Sequence, residues 1–122
     1  HPPISSPVVT VNHLRLQNPA DLEEAIAGSD VRMIVCGHSH HTGAGSIGGV
    51  PVWVGPAMSY RVDAAPPAGR HRGLSGFGFT RIDLLESGCT ATAVDATPSA
   101  TVYDRSQQSM LEKLADLERR AG

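Results

Sequence analysis

The hydrophobic and polar positions of the first third of the chain predict a helix followed by a buried strand. Apolar side chains recur at helical spacing within residues 20–26, where acidic side chains fill the first turn. Asn18 is the expected N-cap, Pro19 fits the first helical position, and Gly28 is expected to end the helix. The apolar run 33–36 that follows predicts a short buried strand over 32–36.

Short strands and turns dominate the middle of the chain. Residues 46–55 predict a tight pair of strands around Gly48-Gly49, and residues 77–84 and 90–94 predict a second pair. The intervening segment 56–76 is rich in proline and glycine, so we expect it to be a mobile loop or a small cap.

From Ser106 onward the pattern is that of an amphipathic helix. Its apolar stripe consists of Met110, Leu111, Leu114 and Leu117. Such a stripe typically packs against a core, and its position after the last strand also leaves room for a homodimer contact. We therefore divide the chain into a body, 1–104, and a C-terminal helix, 105–122. The order β-α-β, several strands and then a helix predicts an α/β, or layered α+β, fold.

Composition narrows the classes of function. The 122 residues carry a formal net charge of −2, which excludes the basic surface of a nucleic-acid binder. No apolar run approaches the ~20 residues that cross a membrane, and we find no signal-peptide pattern. Cys36 and Cys89 are far apart and are expected to be reduced thiols of a cytoplasmic protein. Because the first residue is His1 rather than Met, we expect a processed, truncated or engineered chain.

The candidate chemistry lies in Gly37-His38-Ser39-His40-His41, directly after the predicted strand. In an extended segment, successive side chains point to opposite faces, so His38 and His40 are expected to share one face. His41 would then face away, behind the pair or toward solvent. Two imidazoles at the end of a buried strand are a natural pair of metal ligands, although a catalytic metal needs at least one more protein ligand.

Gly37-His38-Ser39-His40 matches the Gly-His-x-His motif of the calcineurin-like metallophosphoesterases. With His1-Pro2-Pro3 before it and Arg81-Ile82-Asp83-Leu84 after it, the motif resembles the branch that contains class III cyclic-nucleotide phosphodiesterases. The resemblance covers most of residues 1–95. It implies that the chain is the C-terminal half of a four-layer α/β/β/α metallophosphoesterase sandwich.

The same resemblance implies a centre of two metal ions, drawn from Mn, Fe and Zn, bridged by an aspartate and by water or hydroxide. His38 would bind the second metal and His40 the first. Such a centre lowers the pKa of the bridging water and stabilises charge on phosphoryl oxygens. The implied substrate is a small-molecule phosphodiester such as a cyclic nucleotide.

The carboxylate-bearing motifs of that family precede its His-His-Pro-Pro segment, and none of them occurs in this chain. We therefore expect a missing N-terminal half to supply them, and the isolated chain to be inactive. If His1 is the second histidine of the family's His-His-Pro-Pro segment, the metal ligand is the histidine upstream of it. If the segment is read as His-x-Pro, His1 is itself the ligand. The sequence identifies no further catalytic residue and leaves the substrate-binding residues unknown.

Three weaker patterns have two interpretations each. Residues 43–48 form a G-x-G-x-x-G, but they run into a predicted strand, which favours a loop leading into a hairpin over a dinucleotide site. Arg70-His71-Arg72 either holds a phosphate or forms a solvated loop. Tyr60 either reaches the site or packs at its rim.

Two non-enzymatic functions compete with the phosphodiesterase. One is a small module whose histidine cluster binds a transition metal without catalysis. The other is a self-associating module, because a half-sheet leaves unpaired edges and an exposed apolar face.

Overall fold

The computed structural model describes residues 1–121 as a mixed α/β arrangement of short helices and three small sheets. The elements are a 3₁₀ helix, Val9–Leu14, followed by α1 (Pro19–Ile26), β1 (Ile34–Cys36), β2 (Gly43–Ile47), β3 (Val50–Val54), β4 (Arg61–Val62), β5 (Gly73–Leu74), β6 (Gly78–Leu85), β7 (Gly88–Asp95) and α2 (Gln107–Ala121). The structure thus belongs to the mixed α/β class that the order of elements in the sequence predicts.

Helix α1 begins at the predicted proline and ends where predicted. Pro19 needs no hydrogen-bond acceptor for its nitrogen, and its fixed φ suits the first helical turn. Asn18 is the N-cap residue, as predicted, although its side chain makes no capping hydrogen bond. Beyond the helix, Gly28 adopts a φ of 69°, which glycine reaches without the clash that a Cβ would create.

The central sheet has the order β1-β3-β2. Strands β2 and β3 form the predicted hairpin, and Gly48 and Gly49 make its turn with φ values of 55° and 78°. The hairpin starts at Gly43, so the glycines of the G-x-G-x-x-G pattern belong to a strand and its turn. Strand β1 runs parallel to β3, which places the C-terminal ends of both strands at one edge of the sheet.

The remaining sheets are two-stranded. Strands β6 and β7 form a long antiparallel hairpin in register from Gly78↔Asp95 to Leu85↔Gly88, as predicted. The segment 56–76 contains the short antiparallel pair β4 and β5. That segment is therefore partly ordered by backbone pairing rather than being a simple loop.

The buried apolar residues are small and β-branched. Val8, Val11 and Val62 form one cluster, and Val52 and Val54 are buried on β3. Both cysteines are free, as predicted, and the Cys36 thiol donates to the Trp53 carbonyl.

On α2, Leu111, Leu114 and Leu117 remain about half exposed, so the predicted stripe is not buried within the described part of the chain. An ion pair joins Asp116 and Arg120, one helical turn apart, at 2.7 Å. Across residues 1–121, no helix has the length and apolar character needed to cross a membrane.

Candidate metal centre

Strand β1 delivers His38 and His40 to the edge where the C-terminal ends of β1 and β3 meet. The backbone there is not extended, contrary to the sequence prediction: His38 has a φ of 75° and His40 a φ of 55°. The chain must turn from β1 to β2, which lies on the other side of β3, and left-handed residues provide that turn. For a residue with a Cβ, each such conformation costs roughly 1–2 kcal/mol. Strain of this kind is frequent at functional sites.

The ring of His40 is fixed by its surroundings. Its Nδ1 lies 3.2 Å from the carbonyl oxygen of Tyr60 and 3.4 Å from the Ser59 hydroxyl. When Nδ1–H donates to that carbonyl, Nε2 keeps its lone pair and can bind a metal. The Tyr60 ring packs against the imidazole with centroids 4.3 Å apart, and the amide of Val62 donates to the His40 carbonyl at 2.6 Å. The histidine is thus held by the segment that leads into β4.

His38 is exposed and lies beside His1. The two rings meet edge to face with their centroids 4.3 Å apart. Nδ1 of His1 lies 2.7 Å from the Leu14 carbonyl oxygen, so donation there leaves its Nε2 available as well. The fold therefore brings a third imidazole next to one of the two predicted ligands, across 37 positions of sequence.

His41 is buried rather than exposed to solvent. Its Nε2 lies 2.8 Å from the Ser6 hydroxyl and its Nδ1 lies 3.3 Å from the Thr42 carbonyl oxygen. Donation from Nδ1–H to Thr42 makes Nε2 the acceptor of the Ser6 hydroxyl proton. Both nitrogens are therefore engaged within the protein, and His41 is not available as a metal ligand.

The donor set that this chain offers to a metal is incomplete. Within residues 1–121, no group of three histidine, cysteine, aspartate or glutamate side chains has the geometry to hold an ion. The imidazoles of His38 and His40 fit the nitrogen half of a metal site, because neutral imidazole suits Zn and Fe. The oxygen ligands would have to come from outside the described residues.

An open cleft of about 440 Å³ lies beside His40. Its charged lining residues are Arg61, Asp63 and Asp95. The backbone amide of Ala65 and the Arg72 guanidinium donate to Asp63 and hold the pKa of that carboxyl below its usual value. The hydroxyl and amide of Thr97 lower the pKa of Asp95 in the same way. Both carboxylates are therefore ionised at neutral pH.

The basic triplet of the 56–76 segment is engaged in contacts within the protein. Nε of Arg72 donates to Asp63 at 2.8 Å, and Nδ1 of His71 lies 2.6 Å from the Thr10 hydroxyl. These contacts favour a structural role over phosphate binding for two of its three members. Tyr60 packs at the rim of the site, and its carbonyl orients His40.

Sequence reasoning missed the groups that orient the imidazoles. The carbonyls of Tyr60 and Leu14 are backbone atoms, which carry no residue-type signal, and Ser6 lies 35 positions from His41. Contacts between segments that are distant in the chain bring the Leu14 carbonyl to His1 and the Ser6 hydroxyl to His41.

A comparison of the chain with models of known protein families finds no match. Two curated proteins are similar to the chain over 76 residues, or 62% of its length. One, from Mycobacterium tuberculosis, is named a cAMP/cGMP dual specificity phosphodiesterase and is 37% identical over 24% of its own length. The other, from Rhodococcus erythropolis, is named "Probable cyclic nucleotide phosphodiesterase" and is 32% identical over 25% of its own length. The chain thus spans about a quarter of two proteins that are named as cyclic nucleotide phosphodiesterases.

Proposed function

We propose that this chain is part of a metal-dependent phosphodiesterase that hydrolyses a cyclic nucleotide or a similar small phosphodiester. The names of the two similar proteins support the reaction and the class of substrate. The observation that carries the metal assignment is the position of His40 Nδ1, 3.2 Å from the Tyr60 carbonyl oxygen, because a metal-binding histidine typically donates its second ring N–H in this way.

In this proposal His38 and His40 each contribute one imidazole nitrogen, and the left-handed loop sets the direction of both rings. A pair of metal ions, drawn from Mn, Fe and Zn, would supply Lewis-acid stabilisation of the phosphoryl oxygens and a water of lowered pKa. The role of this chain is to hold His40 in one tautomer, through the Tyr60 carbonyl, so that Nε2 keeps the lone pair that a metal would bind.

The carboxylate ligands belong to a part of the enzyme outside this chain, namely the N-terminal half of a four-layer α/β/β/α calcineurin-like fold. Residues 1–104 form the C-terminal half of that domain, with 56–76 as its cap, and 105–122 form an appended helix. The short span of the chain relative to the similar proteins, about a quarter of their length, supports this division. The isolated chain is then inactive, and the whole enzyme acts in the cytoplasm.

The test is hydrolysis of cyclic AMP and of bis-p-nitrophenyl phosphate by the full-length protein with Mn²⁺. We expect metal-dependent turnover that falls by at least about 100-fold in His40→Ala, in line with the loss of an essential metal ligand. His13→Ala is the matched control, because His13 is an exposed histidine of the 3₁₀ helix.

The proposal fails if the full-length protein shows no turnover with any of Mn, Fe or Zn. It also fails if His40→Ala and His13→Ala have the same activity. The 122-residue chain alone should show no turnover, and activity in that chain would contradict the division into halves.

A second candidate, self-association, rests on the exposed apolar side chains of the β6–β7 hairpin and α2. Leu84 is 76% exposed, Phe79 is 48% exposed, and the α2 leucines are about half exposed. Association of two copies of the chain would remove these apolar side chains from water. Light scattering of the chain is expected to give a mass above that of the monomer under this candidate, and a monodisperse monomer would reject it.

A further inference from the structure

Helix α2 carries an apolar seam that the described part of the chain leaves largely uncovered. The seam consists of Met110, Leu114, Leu117 and Ala121. Their spacing of four, three and four residues is that of heptad positions d, a, d and a. Leu114 and Leu117 are about half exposed, and so is Leu111 at the adjoining e position. Such a seam fits the knobs-into-holes packing of a second helix with the same spacing.

Two charged residues, Lys113 and Glu118, flank the seam at heptad positions g and e. Neither takes part in the ion pairs of residues 1–121, whereas Arg119 and Arg120 both bond to Asp116. In a parallel pair of helices, each g position faces the next e position of the other helix, so Lys113 of one copy meets Glu118 of the other. An antiparallel pair would instead place like charges opposite each other. The flanking charges thus favour a parallel partner related by two-fold symmetry.

Two other occupants of the seam match its chemistry less well. A lipid surface attracts helices with a basic polar face, but the charges of α2 cancel. The basic residues of the helix are Lys113, Arg119 and Arg120, and its acidic residues are Glu112, Asp116 and Glu118. The β6–β7 hairpin of the same chain does not cover the seam, and its own Phe79 and Leu84 remain exposed. A second α2 matches the seam in both spacing and charge.

We propose that α2 pairs with α2 of a second copy of this chain as a parallel two-stranded coiled coil. The seam is buried between the helices, and Lys113 and Glu118 form an ion pair on each side of it. Gln107, at the a position of the first turn, meets its counterpart, and a polar residue at such a position fixes the register. Because the seam spans only two heptads, the dimer is weak and reversible. The inference rests on the self-association candidate and not on the phosphodiesterase activity.

The test is sedimentation equilibrium of the 122-residue chain and of the full-length protein, at concentrations from roughly 10 µM to 1 mM, where weak dimers form. We expect a reversible equilibrium between monomer and dimer in both. Leu117→Gln, which keeps a good helix former, should weaken dimerisation at least about 10-fold, because each dimer loses two buried leucines. Leu84→Gln, at an exposed position of β6, is the matched control and should leave dimerisation unchanged.

Charge reversal tests the orientation of the two helices. Lys113→Glu and Glu118→Lys should each weaken dimerisation about 10-fold, since each replaces two attractive pairs by two repulsive ones. The double variant should dimerise like the parent protein. Glu112→Lys, at the outward f position, changes the net charge by the same amount as Glu118→Lys and should have little effect. In an antiparallel pair, Lys113→Glu would relieve repulsion between basic residues and strengthen the dimer.

Cross-linking gives an independent measure of the same geometry. In a chain with Cys36→Ser and Cys89→Ser, Gln107→Cys places one thiol at the start of α2. A parallel pair brings the two introduced thiols together, so oxidised glutathione should convert the chain to a disulfide-linked dimer. In an antiparallel pair the same thiols would lie roughly 20 Å apart, at 1.5 Å per residue of helix, and no such dimer would form.

Three results would overturn the proposal. One is a mass that stays monomeric over the whole concentration range. Another is a dimer that is lost in Leu84→Gln but kept in Leu117→Gln, in which case the chain associates through the β6–β7 hairpin and only the assignment to α2 fails. The third is a Leu117→Gln variant of unchanged mass but lower thermal stability, which would show that the seam packs within one chain.

Discussion

Replacing His38 by glycine is expected to destabilise the fold less than replacing it by alanine, while both changes remove a proposed metal ligand. His38 has a φ of 75°, a conformation that costs a residue with a Cβ roughly 1–2 kcal/mol. Glycine escapes that cost but loses about 0.5–1 kcal/mol more conformational entropy on folding. The difference leaves His38→Gly more stable than His38→Ala by up to about 1.5 kcal/mol, because the alanine variant keeps the Cβ and loses the same ring.

Alanine is the proper reference because both variants abolish the contact with the His1 ring. The free energies of unfolding come from urea titration of both variants under identical conditions. Gly28→Ala provides the reverse experiment: Gly28 has a φ of 69°, and an added Cβ would meet no atom within 4 Å. We expect Gly28→Ala to lower the free energy of unfolding by about the difference between the His38→Gly and His38→Ala variants. A glycine variant less stable than the alanine variant would refute the assignment of backbone strain to this loop.

Two further predictions concern packing and pH. A Cβ at Gly55 would lie 2.5 Å from the Thr80 hydroxyl, so Gly55→Ala should cost about 1–3 kcal/mol. Thr80→Ala alone also loses the hydrogen bond that Trp53 Nε1 donates. In urea titrations, the double variant Gly55→Ala with Thr80→Ala should lose less unfolding free energy than the sum of the two single variants. Strict additivity of the two losses would contradict the clash. The pKa of Asp63 lies below its ordinary value of 3.8, so its contribution to stability is complete above that pH and is lost as pH falls below it. In Asp63→Asn, the urea concentration at the unfolding midpoint should therefore fall less steeply as the pH is lowered. An equally steep fall would show that the ionised Asp63 carboxylate does not stabilise the fold.

The parts of the fold that depend on local pattern could be predicted from the sequence. Helix α1 follows from Asn18-Pro19 and its apolar spacing, and the β2–β3 hairpin follows from Gly48-Gly49 between β-branched residues. Helix α2 follows from its stripe. The 3₁₀ helix Val9–Leu14 was not predicted, because its β-branched residues favour extended structure and only tertiary packing around buried Val11 selects the helix.

The sequence predicts that His38 and His40 follow a strand, but it does not predict the geometry around them. The spacing of His38 and His40 identifies two imidazoles at a strand end, whereas their left-handed backbone depends on where β2 returns beside β3. Nor does the sequence indicate that His1 reaches His38, or that His41 bonds to Ser6, because these contacts join segments distant in the chain. Long-range pairing therefore decides what each histidine can bind.

The most direct test of the central claim is the metal content of the full-length protein, measured by mass spectrometry after loading with Mn²⁺ and desalting. The account predicts about two bound ions per chain for the parent protein and for His13→Ala, as expected of a two-metal phosphoesterase site. It predicts a clear loss of bound metal in His38→Ala and in His40→Ala. Equal metal content in all four proteins would contradict the assignment of His38 and His40 as ligands.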